Sequence, residues 1–383
     1  MTVESLRAGN AMMEEVIESK LLDFNLSKSC CLVIGKNKPK QKLIKEISES
    51  EIKLCGKEIQ IAESEKWLGD YLHSDGNSQS IIKTVKARYG LALSTIIDIK
   101  NIIEDVRATV LGGIMTGIEM YEMCVVPFIL NNCDTWDNIP REAMEMLNKL
   151  ENTFYCSLLG TPRKGTPQPS LLWETGQTSL KFKIMEKKIN FYHHVMTMDD
   201  QCLAKIMAKK QIENNYPGLM MECHDILDQI GLRHCHPCHF SKMSWKKMTK
   251  MTIKEHNRSH LLEKIKTYKK LDYFQLKEEE FEPKSYLRNL NIHDARMKYR
   301  TRINLVPGLK FHYKSDKRFR ESMWSCPLCE KLGDNYNLDN LSHTLACPFL
   351  ADLREQRDLE DDRQLCEYVR EALRRREDVS IDK

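Results

Sequence analysis

The spacing of apolar residues predicts helices along most of the chain. In four stretches the apolar side chains recur at intervals of three or four residues, so each set lies on one face of a helix. Ser78 stands where it can cap the second of these helices. The four sets are Met12, Val16, Ile17 and Leu21; Ile81, Val85, Tyr89, Ala92 and Ile96; Val106, Val110, Ile114, Ile118 and Tyr121; and Met144, Leu147, Leu150 and Phe154.

Short β-like segments separate the first helix from the others. An apolar run at 30–35, stopped by a glycine, predicts a buried strand, and a charged linker follows at 36–45. Two further segments, 52–54 and 58–61, predict a hairpin, and 67–72 predicts one more strand, closed by a turn at 74–77. Pro127 and the segment 133–136 are expected to interrupt the helices, and a loop is expected at 160–169. This order predicts an α+β fold that is mainly α.

Composition restricts the class of protein. A chain of 383 residues with 41% hydrophobic residues can form two or three domains. Its 14 cysteines follow no leader-like apolar stretch, so we expect a reducing compartment inside the cell, nucleus or cytoplasm, and not secretion. The longest stretch without a charged residue, Asn340 to Ala351, is shorter than the roughly 20 residues that span a bilayer, so no membrane partner is expected.

Positive charge is concentrated in one region. Between Ser241 and Ser325 there are 22 Lys and Arg residues against 10 Asp and Glu, although the whole chain carries only +4. With Trp245, Tyr268 and Tyr273 interleaved for stacking, this region predicts micromolar, salt-sensitive binding of RNA or single-stranded nucleic acid. The alternative is a set of solvated helix faces. The candidate contacts are Lys246, Lys247, Lys250, Arg296, Lys298, Arg300, Arg302, Arg318 and Arg320.

Four residues near the C-terminus have the spacing of a zinc knuckle. Two residues separate Cys326 from Cys329, as in a Cys-x2-Cys motif, and His343 and Cys347 are one helical turn apart. Four protein ligands leave no position for water, so the spacing predicts a structural zinc. A second Cys-x2-Cys lies within 234–239, and it is either another zinc site or a loop with incidental Cys and His.

The order of several motifs resembles the C-terminal part of reverse transcriptases from non-LTR, LINE-type retrotransposons. Residues 25–29 and 32–35, followed by 67–72, resemble the last two palm motifs of that family. Downstream come a helical segment with a Thr-Pro loop, Trp173-Glu174-Thr175-Gly176, a basic stretch at 295–301, and the knuckle ending in Cys347-Pro348 with Arg354 beyond. The resemblance covers almost the whole chain.

The family resemblance implies a domain order. It comprises a palm segment at 1–77, a helical thumb-like domain at 78–200, a basic helical linker at 201–325, the knuckle at 326–350 and a C-terminal helix at 351–383. The final helix carries Leu365, Val369 and Leu373, and its Arg and Glu content predicts a solvated element too short for a coiled coil.

The resemblance also implies roles. Lys28 corresponds to a lysine beside the departing pyrophosphate, and Leu68 and Gly69 correspond to the primer grip, with RNA and DNA as template and primer. The family polymerises DNA with two Mg²⁺ held by aspartates. The Asp-Asp pairs of this chain, Asp199-Asp200 and Asp361-Asp362, come after the palm-like motifs, so we expect it to be inactive alone. The missing N-terminal polymerase portion would be a partner, and Mg²⁺ would bind only in the complete parent enzyme.

Two alternatives stay open at this point. The first is a catalytically inactive RNA- or DNA-binding zinc-knuckle protein derived from a retroelement. The second is a helical scaffold stabilised by zinc, with no role in nucleic-acid binding.

Overall fold

The computed structural model describes residues 3–20, 25, 29–34, 37–50, 53–54, 57–107, 113–268, 271, 281–303, 305, 326–330 and 341–381. Helices dominate this part of the chain, which agrees with the predicted, mainly helical α+β class. The helices are α1 Val3–Ser19, α2 Asn37–Glu49, α3 Asn77–Arg107, α4 Gly113–Met120, α5 Val126–Ile129, α6 Arg141–Leu158, α7 Gln168–Thr175, α8 Leu180–Met196, α9 Leu203–Glu213, α10 Leu219–Gln229, α11 Lys242–Thr267, α12 Tyr286–Asn289, α13 Ile292–Arg302, α14 Pro327–Glu330, α15 Leu341–Ala346, α16 Ala351–Glu355 and α17 Asp362–Ile381.

In the part of the chain that the structure describes, six short strands form three two-stranded pairs. β1 (Cys30–Leu32) runs parallel to β4 (Gln60–Ala62), with Cys31 opposite Ile61. β2 (Lys53–Leu54) and β3 (Lys57–Glu58) are antiparallel, which confirms the predicted hairpin. β5 (Ser64–Trp67) and β6 (Asp70–His73) are also antiparallel.

The segment 67–72, predicted as one strand, is a hairpin turn between two strands. Trp67 pairs with Asp70, and Leu68 and Gly69 form the two-residue connection. Both connecting residues have positive φ, 47° and 92°, as in a type I′ turn, whose twist matches that of the flanking strands. The turn could not be recognised from the sequence, because leucine rarely adopts a positive φ.

The predicted charged linker at 36–45 is wrong, because residues 37–45 lie in α2. Its apolar residues Leu43, Ile44 and Ile47 have helical spacing and contact Val33 in a small core. The contacts of these few apolar side chains outweigh the charged composition that favoured a linker.

The apolar face predicted for α1 is not the buried one. Met12 is 69% exposed and Val16 is 58% exposed, whereas Val3 and Leu6 pack on the small core around Val33. The N-terminal half of the helix therefore contacts this small core, against which β1 and β4 also pack.

Pro127 lies inside a helical segment instead of ending one. A π turn at Tyr121–Val125 precedes it, and the N–H of Val126 donates to the carbonyl of Tyr121, five residues earlier. The wider turn accommodates a residue that has no N–H to donate.

Contacts divide the chain into two units, each built from separate stretches of sequence. The first comprises Met1–Leu91, Phe128–Asn148 and Ile184–Thr249, and the second comprises Ala92–Pro127, Lys149–Lys183 and Lys250–Lys383. In the first, the buried indole of Trp245 packs near His193. In the second, Tyr121 stacks on Phe154 with ring centroids 4.0 Å apart. The predicted five-domain succession stays a prediction. Of the helices that the structure describes, none is both long and apolar enough for a membrane crossing.

Candidate metal centre and nucleic-acid contacts

The four predicted zinc ligands meet in one buried cluster. Cys326 directly precedes α14 and Cys329 lies within it, while His343 lies in α15 and Cys347 directly follows α15. The candidate ligand atoms all lie within 4.8 Å of one another, and the three cysteines are at most 1% exposed. Two local turns thus bring together residues that are far apart in the sequence.

The distances between the ligand atoms suit a tetrahedral metal ion. Cys329 Sγ lies 3.8 Å from Cys347 Sγ and 3.3 Å from His343 Nε2. Zn–S bonds of about 2.3 Å in tetrahedral geometry place two sulfurs about 3.8 Å apart, so the cluster fits zinc in size and in donor type. Together, these residues could hold a metal ion without further rearrangement of the chain.

Helix α17 covers the cluster with polar side chains. Arg376, 4% exposed, lies with Nη2 3.5 Å from Cys326 Sγ, and its Nη1 donates to Thr344 Oγ1 over 2.7 Å. Tyr368 donates its hydroxyl proton to the carbonyl of Thr344, 2.6 Å away. From α16, Arg354 donates to the carbonyl of Cys347 at 2.7 Å. These contacts fix the backbone on the histidine side of the cluster.

The three thiols differ in acidity. Burial opposes ionisation of Cys326, but the N–H groups of Cys329 and Leu328 and the guanidinium of Arg376 outweigh it, so the pKa of Cys326 is lowered. Burial, together with Cys326 and Cys347, raises the pKa of Cys329 to about 12, and burial raises the pKa of Cys347. One thiolate is therefore favoured by the protein itself, and a cation would favour the other two.

The apolar surroundings of the cluster come largely from the final helix. Leu365, Tyr368, Val369 and Ala372 of α17 share a core with the three cysteines, and Met297 of α13 packs against it. The prediction of a final helix is confirmed, but its predicted solvated character is wrong. The reason is that its apolar stripe packs on the three cysteines of the cluster.

The second Cys/His group does not form a comparable site. Among the residues that the structure describes, three or more candidate ligand atoms gather only at the knuckle and at Glu63, His73 and Asp75. His236 caps a short 3-10 turn by accepting from the N–H of Cys238, and the Cys238 thiol donates to the carbonyl of Met196. At Asp75 the ammonium of Lys40 already pairs with the carboxylate.

The β5–β6 hairpin presents its tip to solvent on a rigid base. Trp67 is 63% exposed and Leu68 is 78% exposed. Arg88 holds the turn, since it donates to the carbonyl of Gly69 at 2.8 Å and pairs with Asp70 at 2.6 Å. Asn132 donates to the carbonyl of Leu68 at 3.1 Å. The predicted primer-grip residues thus lie on a fixed, exposed turn.

Three predicted nucleic-acid contacts lie exposed on α11. Lys246, Lys247 and Lys250 are exposed, and none of them pairs with a residue that the structure describes. The aromatic partner predicted beside them is wrong: Trp245 is fully buried and donates its indole N–H to the carbonyl of Ile189 over 3.3 Å. Tyr268 is 42% exposed, and Tyr273 lies outside the described residues.

The four predicted contacts on α13 are engaged within the protein. Arg296 pairs with Glu104 at 3.0 Å and donates to the carbonyls of Ser157 and Leu158. The other three contacts join Arg300 to the carbonyl of Gly160, Lys298 to Asp362 at 2.7 Å, and Arg302 to the buried Glu174 at 2.8 Å. These engaged cations would have to exchange partners before binding a phosphate.

Three basic residues and the two Asp-Asp pairs remain from the sequence analysis. Lys28, Arg318 and Arg320 lie outside the described residues. Asp200 pairs with Lys205 and Lys209. The hydrogen bond from Lys209 is the main reason that the pKa of Asp200 is lowered to about 2. Asp361 caps α17 by accepting from the N–H groups of Arg363 and Gln364. Both Asp-Asp pairs therefore have local partners.

The sequence-based prediction missed the polar contacts around the candidate metal ligands. A signal for one of them exists, because Leu365, Val369, Ala372 and Arg376 recur at intervals of four, three and four residues. An arginine that continues an apolar stripe of this kind is expected on the buried face.

No family model, curated protein or solved structure in the comparisons matches this chain.

Proposed function

We propose that this chain is the part of a LINE-type, RNA-directed DNA polymerase that runs from the end of the palm to a zinc knuckle. In this assignment it contributes binding of template and primer nucleic acid, and a structural zinc stabilises its C-terminal region. Nucleotidyl transfer with Mg²⁺ would require the metal-binding aspartates of the parent enzyme. RNA and DNA are its expected partners, together with the N-terminal portion of the polymerase.

The observation that carries this proposal is the β5–β6 hairpin. Trp67 and Leu68 are exposed, and the hydrogen bonds from Arg88 and Asn132 hold the turn in place. A polymerase needs a fixed element beside the primer end, because a misplacement of about 1 Å reduces catalysis strongly. The residues that resemble a primer grip lie on a fixed and exposed turn, which supports this role.

The exposed lysines of α11 support the nucleic-acid part of the proposal. Lys246, Lys247 and Lys250 are close in sequence, solvent-exposed and available for phosphate contacts. Each phosphate neutralised releases counterions, so binding through them would be salt-dependent. The Cys326 cluster supports a structural metal, because three thiols and one imidazole complete a tetrahedral donor set.

Binding measurements with the full chain test this function. We expect tighter binding to an RNA template with a recessed DNA primer than to a single strand of the same length, and weaker binding as salt rises. Primer extension with Mg²⁺ should give no incorporation above a chelated control. Binding that is unchanged between 50 and about 200 mM salt would contradict the electrostatic part.

The zinc-stabilised scaffold is the second candidate, and the contacts of α13 favour it. Arg296, Arg300 and Arg302 stabilise the helical body instead of presenting their charges freely. Equal, weak binding to all nucleic acids would support this candidate. A preference for recessed primer ends would support the polymerase assignment, and strong binding without that preference would support the adopted RNA- or DNA-binding protein.

A further inference from the structure

The position of Arg376 links the final helix directly to the candidate metal centre. Its guanidinium is buried and lies 3.5 Å from Cys326 Sγ. The same guanidinium donates to Thr344 Oγ1, next to His343 in the sequence. Arg376 thus contacts the first cysteine ligand and the turn that carries the histidine ligand.

The charge of the centre explains why a buried cation belongs there. Three thiolates, one neutral imidazole and one Zn²⁺ carry one net negative charge. A buried charge without a partner is costly, and an arginine beside a ligand sulfur supplies the opposite charge and hydrogen-bond donors. Helix α17 therefore brings a charge that the four ligands themselves do not provide.

Helix α17 is in turn tied to α13. Asp362, its first residue, pairs with Lys298 at 2.7 Å, and Arg370 pairs with Asp294. The Cys366 thiol donates to the carbonyl of Asp294 over 3.4 Å. A change in the docking of α17 would therefore alter its contacts with α13 as well as those with the metal centre.

We propose that Arg376 is the counter-cation of the metal centre, so that zinc binding and the docking of α17 form one coupled equilibrium. The knuckle is then completed by a helix outside the Cys326 to Cys347 segment. Zinc release undocks α17 from the ligands and loosens its contacts with α13. This inference rests on the metal site but is independent of nucleic-acid binding.

Two substitutions on the same helix test it in the full, zinc-loaded chain. Arg376→Met removes the buried guanidinium, whereas Arg374→Met removes a guanidinium whose side chain is 67% exposed and pairs with Glu371. Competition with a chromogenic chelator gives the zinc affinity of each. We expect Arg376→Met to weaken zinc binding by about 10- to 100-fold, the usual effect of losing a group that supports a ligand, and Arg374→Met to change it little.

Hydrogen exchange supplies the second measurement. In the wild-type chain, chelation of zinc should remove the protection of amides in 362–376, and restoring zinc should recover it. Equal zinc affinities for the two variants, or protection of α17 that persists without zinc, would overturn the inference. If the wild-type protein contained no zinc after purification and took up none when zinc was added, the metal assignment itself would be overturned.

A third variant decides the matter if Arg376→Met does not fold. Thr344→Val keeps the shape of the buried residue but removes the oxygen that accepts from Arg376 Nη1. We expect it to fold and to release zinc faster than wild type. Release at the wild-type rate would contradict the role of Arg376.

Discussion

Helices α11 and α13 are both rich in basic residues, yet their charges serve different purposes. On α11, Lys246, Lys247 and Lys250 are exposed. On α13, Arg296 and Arg302 are bound to carboxylates. The contrast teaches that a count of positive charge in a sequence does not measure the charge available to a phosphate backbone.

The cause lies in the position of each side chain relative to the buried face of its helix. The buried stripe of α11 runs through Trp245, Thr249 and Ile253, and the three lysines lie off it. On α13, Arg296 and Arg300 reach the carbonyls of Ser157, Leu158 and Gly160 at the end of α6. Carbonyls in the last turn of a helix lack the N–H partner that a further turn would supply, so the arginines help to cap the C-terminal end of α6.

The largest effect should come from breaking the buried pair on α13. Glu174 is fully buried, forms an ion pair with Arg302 at 2.8 Å and accepts a hydrogen bond from the Tyr286 hydroxyl at 2.6 Å. Arg302→Met leaves the carboxylate without its counter-charge, and we expect a loss of about 3–5 kcal/mol in the free energy of unfolding. Urea denaturation measures it.

Arg288→Met serves as the control for that substitution, because Arg288 is an exposed arginine in the same unit. It should change the free energy of unfolding by less than about 0.5 kcal/mol. If Arg302→Met instead left stability unchanged and weakened nucleic-acid binding, the contrast between the two helices would be wrong.

A buried carboxylate on α6 should make stability depend on pH. Burial raises the pKa of Glu151 to about 7, although the Leu180 N–H and the Gln168 amide oppose this by donating to the carboxylate. In the unfolded chain the Glu151 carboxyl has a pKa near 4.5, so it releases its proton at a lower pH than in the folded chain. The free energy of unfolding should therefore fall as pH rises from about 4.5 to 7, by on the order of 3 kcal/mol from this group.

Glu151→Gln should remove that slope, since the amide does not titrate and Gln168 can rotate its own amide to match. Denaturation at pH 5 and pH 7.5 gives the difference for each variant. Glu145→Gln, on the same helix but exposed, should retain the wild-type slope. A slope that is equal in both variants would assign the pH dependence elsewhere.

On α11 the expected effect is on binding and not on stability. Changing Lys246, Lys247 and Lys250 to Gln removes three possible phosphate contacts. The slope of log affinity against log salt should fall by about 2, which corresponds to roughly 100-fold weaker binding at 0.1 M salt. Fluorescence anisotropy with labelled single-stranded RNA measures both quantities.

The matched control removes three exposed lysines that pair with carboxylates, Lys42, Lys45 and Lys86. It has the same loss of net charge and should bind nearly as wild type. Equal weakening in the two triple variants would mean that net charge, and not the α11 surface, attracts the nucleic acid.

Local patterns were predictable from the sequence where one element decides the outcome. The helical spacing of Ile81, Val85 and Ile96 predicted the buried face of α3, and the paired spacings at Cys326 and His343 predicted a cluster that could bind a metal ion. Each of these signals comes from local spacings of three or four residues.

Features that depend on a partner element were not predictable in this way. The face of α1 is chosen by the small core around Val33, and the role of Arg376 depends on where α17 packs. A period shows which residues share a face, but it does not identify the surface that covers that face. The same limit applied to Trp245, whose aromatic ring looked suited to base stacking and is instead fully buried.

The smallest effect on stability is expected at Leu68, where an exposed residue is kept in an unfavourable conformation. Its φ of 47° lies in the left-handed region, which costs a residue with a Cβ about 1–2 kcal/mol relative to glycine. At 78% exposure its side chain gains little from burial. A strained, exposed apolar residue on a fixed turn is a candidate for function.

Leu68→Asn separates the effect of this residue on stability from its effect on primer binding, because asparagine tolerates the left-handed region and Asn-Gly suits a type I′ turn. We expect the free energy of unfolding to rise by roughly 0.5–1 kcal/mol, while binding to a recessed primer weakens and binding to single-stranded RNA stays unchanged. Leu203→Asn, at a leucine that is 71% exposed on α9, is the control and should leave primer binding unchanged. If Leu68→Asn gains stability and binds the recessed primer as wild type does, the exposed hairpin tip does not contact the primer. In that case the nucleic-acid contacts of the chain would rest on the lysines of α11.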